Sequence, residues 1–295
     1  MNKLVLYCKS YRNDLLRLER LAHSVQRFNV DSIPFYVSVP EQDFSLFEEK
    51  LSGLNVNLIK DEHILLANPS LDVCKILELP GRLSQQIVKS EFWRLDISTT
   101  YVCLDSDCVF IRPFYFDDFI SPDNHPYTVM HEAKEFLQFA INHNLENAYS
   151  NYHCLRAELM KIIGRNGRHF DFGPVPVIWN RHVWNALDTQ FLQPLNMNFY
   201  DAILLFPSEL LWYGEAMLKF RPFPMIPIEP IFKVYHSELQ FISGQQQGEN
   251  NERISKNFLG VCYQSNWQRE FDLENKPLLS RYARWVRRKI FRRYN

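Results

Sequence analysis

The chain has 295 residues, 46% of them hydrophobic and 15% aromatic, which is ample for a buried core and unlike a disordered composition. The formal charge is −1, but seven of the 33 basic residues fall in 277–295, where no Asp or Glu stands; elsewhere 26 basic residues face 34 acidic ones. That acidic body excludes a general nucleic-acid binder, which needs a broad basic surface.

The first elements read as alternating strand and helix. Leu4–Cys8 is an apolar strand, and Leu15, Leu18, Leu21, Ala22, Val25 and Phe28 recur at a helical period. Pro34–Val39 reads as a second strand and Phe44–Leu54 as a second helix. Ser84–Leu95 is helical, and the apolar strand Tyr101–Leu104 follows it, with extended chain again at Cys108–Ile111. Two or three helices are expected in 131–164, a strand at Pro174–Trp179, helices at Arg181–Leu187 and Glu209–Met217, and late strands at Ile231–Tyr235 and Phe258–Tyr263. The polar, Gln-rich Ser243–Glu252 is expected as a mobile loop near the site or as a simple surface excursion. This order predicts an α/β fold, a largely parallel central sheet with helices on both faces. With no linker in view, 1–276 is expected as one domain and 277–295 as a tail.

Six cysteines stand without CxxC or CxxH spacing, several inside apolar runs. Reduced, buried thiols are expected. The opening stretch is too short in apolar residues for a secretory signal, and no run nears the roughly 18 apolar residues of a membrane span. A cytoplasmic location follows as the expectation.

The informative stretch is Tyr101-Val-Cys-Leu-Asp105-Ser106-Asp107-Cys-Val-Phe-Ile-Arg-Pro113. A buried strand ends in two carboxylates separated by one small residue, and ligands of open α/β sheets bind at the carboxyl ends of strands. Two hard oxygen donors there suit Mg²⁺ or Mn²⁺ bridging to diphosphate oxygens. The chain has nine glycines and neither GxxxxGK nor GxGxxG, so a glycine cradle for phosphate is absent. A turn in which the carboxylates only cap backbone amides is the plainer alternative.

Together with Gln85-Gln86-Ile-Val-Lys89 on the preceding helix, this stretch resembles the donor half of GT-A-type glycosyltransferases, most of all bacterial sugar transferases with a similar L-D-S-D-x-V-F-I-R-P-F signature. The specific likeness covers roughly 81–115, and a looser likeness in element order spans 1–240. It implies a GT-A fold, a nucleotide-sugar donor held by Asp105, Ser106 and Asp107, and Mn²⁺ or Mg²⁺ on Asp105 and Asp107. It also implies that Lys9, Ser10 and Arg12, after the first strand, lie near the nucleotide, and that Gln86 and Lys89 approach the donor from their helix. A late His often completes the metal shell in such enzymes, and His236, at the end of an apolar strand, is the candidate.

Transfer with inversion also needs a base for the acceptor hydroxyl; transfer with retention would not, and the sequence leaves both open. Glu209 follows Pro-Ser at a helix start, where the helix dipole is expected to hold it ionised, and the resembled family carries a similar Ser-Glu-x-x-x-Tyr-Gly segment. Glu209 is therefore the first candidate and Glu215 the second; a capping role for Glu209 stays open. Asp171–Pro176 is a candidate floor on the acceptor side.

From Leu278 the apolar residues Leu278, Tyr282, Trp285, Val286 and Ile290 repeat at three and four, with Arg and Lys between them. This predicts a C-terminal amphipathic helix that contacts an anionic membrane surface peripherally. By resemblance, the acceptor is a glycan or lipid-linked saccharide of bacterial surface polysaccharide, capsule or lipopolysaccharide, and the enzyme works at the inner face of the cytoplasmic membrane. Two other readings compete. A haloacid-dehalogenase-type phosphohydrolase also uses Asp-x-Asp after an apolar strand, but it needs a later Gly-Asp, and no glycine here precedes Asp. A catalytically silent sugar- or nucleotide-binding protein of the same fold is the other.

Overall fold

The computed structural model describes residues 2–142, 146–236 and 238–264. The tail at 277–295, with its expected amphipathic helix, lies outside the described residues. Among the described residues ten strands form: β1 (Asn2–Lys9), β2 (Phe35–Val39), β3 (Asn57–Lys60), β4 (Ser98–Leu104), β5 (Cys108–Phe110), β6 (Tyr127–Val129), β7 (Val177–Asn180), β8 (Ile226–Ile228), β9 (Phe232–Tyr235) and β10 (Gly260–Tyr263). The central sheet has the order β3-β2-β1-β4-β7. Its first three ladders are parallel and only β4–β7 is antiparallel.

Side chains alternate across each strand, so the sheet divides two cores. Val5, Tyr7, Tyr101, Cys103, Val177 and Trp179 face the helices Gly81–Glu91, Arg181–Leu187, Phe199–Leu205 and Glu209–Phe220. Leu4, Leu6, Cys8, Val102, Leu104 and Ile178 face Leu15–Phe28 and Glu41–Lys50. A strand buried on both faces must be apolar throughout, which is why β1 and β4 stood out in the sequence. Gly214, in the middle of Glu209–Phe220, lets the Phe172 ring lie against the helix, where any Cβ would overlap it.

Several expected elements differ. The second helix starts earlier, at Glu41 after Pro40. Ser243–Glu252, expected as a mobile loop, falls largely within the helices Glu238–Gln246 and Asn251–Ile254. Between them Glu249 is anchored: it accepts from the Tyr235 hydroxyl at 2.6 Å and pairs with Lys233 at 3.4 Å. Short β3, β6 and β8 were not anticipated. All six cysteines are free, but Cys74 and Cys154 are exposed rather than buried. Among the described residues no helix is long and apolar enough to cross a membrane.

Beside the sheet, Glu91 is wholly buried and bonded to Arg94 at 2.5 Å and to Asn68 at 2.9 Å, and Arg94 reaches on to Asp188 at 2.6 Å. Burial raises the Glu91 pKa to about 7, more than Arg94 and Asn68 lower it. A carboxyl raised on folding contributes stability that is whole below its unfolded pKa and lost as pH climbs to the folded one. Denaturation midpoints should thus fall between roughly pH 4.5 and 7 by an amount worth about 3 kcal/mol. Glu91→Gln should flatten that slope; an unchanged slope assigns the loss to other groups.

Candidate active site

β1 and β4 lie side by side and end together, Cys8 opposite Leu104. The next residues of both, Lys9-Ser10 and Asp105-Ser106, therefore meet at the carboxyl end of the sheet. Ser106 donates its hydroxyl to Ser10 at 3.1 Å, and both serines are buried. Asp105-Ser106-Asp107 is a turn closed by the Cys108 amide on the Asp105 carbonyl at 3.1 Å. Asp105 is left at the mouth of an open cavity of about 180 Å³.

Two helices bring the remaining groups. Gly81–Glu91 buries its last turns against the sheet and carries Lys89 inward, with a side chain only 4% exposed. Its ammonium lies 2.6 Å from Asp105 Oδ1 and 3.6 Å from Glu209 Oε1. Burial alone would favour the neutral amine, but the two carboxylates outweigh it and hold the Lys89 pKa well above the ordinary value. Glu209 opens the helix Glu209–Phe220, whose cap is the Ser208 hydroxyl accepting from the Leu211 amide at 3.3 Å. The Glu209 amide donates to Gln86 Oε1 at 3.3 Å, so one of the helix's orphan donors is satisfied by the neighbouring helix.

The helix start was expected to favour the ionised Glu209. Burial raises its pKa, with Lys89 lowering it and Asp105 raising it again; desolvation is the largest influence. Gln85, Gln86, Lys89, Asp105, Pro174, Val175 and Glu209 all line the cavity, so three of the candidate residues meet Glu209 there and part of Asp171–Pro176 forms one wall.

Other candidates stand elsewhere. Glu215 follows Glu209 by six residues, about 240° around the helix. It lies in a buried ion pair with Arg165 and does not line the cavity. Lys9 is bound to buried Asp61 at 2.9 Å, and Arg12 to Asp43 at 3.0 Å; neither is on the cavity wall. Cys262 and Gln264 do line it. Cys262 passed in the sequence as a small hydrophobe in an apolar run, and nothing marked Gln264.

These features can be set beside known proteins. The model described as "Family of unknown function (DUF6492)" matches residues 3–270. The chain belongs to the DUF6492 family. Compared by sequence with curated proteins, this family member matches none. Among solved structures it is similar to mouse xyloside xylosyltransferase 1 in its apo form, with a TM-score of 0.50 and 11% identity, over 90% of this chain and 98% of that one. It is also similar to the apo structure of the bifunctional glycosyltransferase WbbM, again at 0.50 and 11%, over 88% of this chain; it spans 45% of WbbM. At such identity the likeness is one of fold, and the fold of this DUF6492 member is GT-A.

In this family member the Asp105–Asp107 turn offers two carboxylates, the donor type that hard divalent cations take. Asp105 is 39% exposed at the cavity mouth, with the Lys89 ammonium 2.6 Å from its Oδ1. His236 directly follows β9. In the sheet β5-β10-β9 the Tyr263 amide, on β10, donates to the Asp107 carbonyl at 3.0 Å, and Tyr263 pairs with Tyr235 on β9. His236 thus reaches the same sheet end two strands from Asp107, a backbone spacing of about 10 Å. Burial lowers its pKa despite a bond to Gln264, which favours the neutral imidazole that a metal needs.

Proposed function

We propose that this chain is a glycosyltransferase that takes a nucleotide-sugar donor with Mn²⁺ or Mg²⁺ at Asp105 and Asp107. The observation carrying this reading is the Lys89 ammonium set between Asp105 and Glu209 at the cavity mouth, in a GT-A fold. When bound, the cation neutralises charge on the departing nucleoside diphosphate. Lys89 orients Asp105 and keeps a positive charge beside the diphosphate. Glu209, ionised, accepts the proton of the acceptor hydroxyl as its oxygen bonds to the sugar carbon and the diphosphate leaves. A pKa raised by burial makes it a stronger base than an exposed carboxylate. Ser10 and Ser106 pack the two strand ends together, and Gln86 holds the start of the Glu209 helix. His236 is proposed as the third metal ligand. Glu215 serves as an internal ion-pair partner instead of a base.

Calorimetry of nucleoside diphosphates with and without Mn²⁺ tests the reading. One nucleotide should bind only with metal, and Asp107→Ala should abolish that binding. Binding indifferent to both metal and Asp107 would make the Asp-Ser-Asp turn structural.

The acceptor is proposed to be a glycan or a lipid-linked saccharide of surface polysaccharide synthesis, met at the inner face of the cytoplasmic membrane. Support comes from the seven Arg and Lys residues of 277–295 interleaved with apolar ones, a pattern suited to anionic lipid. Removing 277–295 should release the protein from phosphatidylserine vesicles while nucleotide binding persists; retention on the vesicles would refute the membrane contact.

A further inference from the structure

Next to the Asp107 carboxylate is a pair of thiols that the transfer reaction does not use. β5 and β10 run antiparallel with Cys108 directly opposite Cys262, so both side chains leave the sheet on one face. The Cys262 thiol donates to Asp107 Oδ1 at 3.1 Å. One ligand atom each from Asp107, Cys108 and Cys262 lies within 4.8 Å of the others. Cys108 is fully buried and Cys262 is 3% exposed, yet Cys262 borders the cavity that Asp105 and Glu209 line. An ion therefore has a route to the sulfurs.

Two sulfurs and a carboxylate oxygen make a soft donor set, unlike the sulfur-free set proposed at the front of the turn. Thiolate selects Zn²⁺ and its heavier analogue Cd²⁺ over Mg²⁺ and Mn²⁺. A tetrahedral zinc with Zn–S near 2.3 Å spaces its ligand atoms about 3.5–3.8 Å apart; the Cys262–Asp107 edge, at 3.1 Å, has to open slightly and the other two already lie within 4.8 Å, an adjustment that side-chain rotation supplies. We propose that Asp107, Cys108 and Cys262 form a site for a thiophilic divalent cation, with its fourth position open to the cavity. Because Asp107 is shared, that cation and the hard one exclude each other. This last clause rests on the proposed function; the site itself does not.

The test uses the full chain with the exposed Cys74 and Cys154 changed to serine, titrated with Cd²⁺ and followed by the ultraviolet sulfur-to-cadmium charge-transfer band. One equivalent should saturate the band, and excess Mg²⁺ should leave it in place. Cys262→Ser and Cys108→Ser should each lose most of it, whereas Cys103→Ala should keep it. Absence of the band, or its survival in Cys262→Ser, overturns the site. A second measurement needs no substitution at the site: Zn²⁺ should slow alkylation of Cys262 by N-ethylmaleimide at least several-fold, read by mass spectrometry, and equal rates with and without Zn²⁺ overturn the site. Finally, Zn²⁺ should block Mn²⁺-dependent nucleotide binding in the parent but not in Cys262→Ser. If no nucleotide binds at all while the band appears, the transferase reading fails and the thiol site stands.

Discussion

Glu209→Gln lowers kcat for transfer from the nucleotide-sugar donor by about 10²–10⁴-fold, the usual worth of a positioned general base. The substitution keeps the side-chain volume and leaves the Glu209 backbone bond to Gln86 in place. Lys89 also keeps its closer partner, Asp105 at 2.6 Å. Donor binding and fold should therefore persist, and the loss should appear in kcat with little change in KM for the donor. Steady-state kinetics with both substrates checks this. A fall of less than tenfold would remove Glu209 as the base, and an equal rise in KM would make it a binding residue instead.

Lys89→Met has the other large effect, this time on stability. Lys89 is the buried counter-charge of two carboxylates, and removing one partner of a buried ionic cluster costs roughly 3–5 kcal/mol. Methionine fills much the same space, so the loss is electrostatic rather than a cavity. The partial exposure of Asp105, at 39%, lets water relieve part of it and favours the lower end of that range. With Lys89 gone, Glu209 keeps the influences that raise its pKa, burial and Asp105, and loses the strongest one that lowers it. Any residual activity should then need a higher pH, its acid limb displaced toward alkali. Urea denaturation of Lys89→Met, Glu209→Gln and the double variant decides the matter. The double variant should recover part of the lost stability, since it no longer buries two unpaired carboxylates. Simple additivity would mean that Lys89 and Glu209 do not act on one another.

Much of the amino-terminal half was legible in the chain itself. β1 and β4 are buried on both faces, so continuous apolar runs had to mark them, and the Asp-Ser-Asp turn could stand only where such a run stopped. The helix carrying Lys89 showed its period, and Pro207-Ser208 announced the start of the helix that carries Glu209. These are short-range matters, set by side-chain pattern and capping within one turn or one strand.

What the chain did not reveal depends on residues far apart in it. That Lys89 would lie between Asp105 and Glu209, a separation of 120 residues for the longer pair, follows from packing two helices on one sheet face. That Glu215 would turn to Arg165 instead follows from the angle six residues make around a helix whose buried face tertiary contacts choose. The pairing of Cys108 with Cys262 is a register across an antiparallel ladder, and each cysteine by itself reads only as a small apolar residue. The upward pull on the Glu209 pKa was also out of sight in the local sequence, because the helix dipole is visible there and the desolvation supplied by the rest of the molecule is not. The sequence by itself thus determined the strands, the turn and the kinds of group available. The tertiary structure decided which of those groups meet and in what charge environment, because burial and long-range pairing are properties of the packed chain alone.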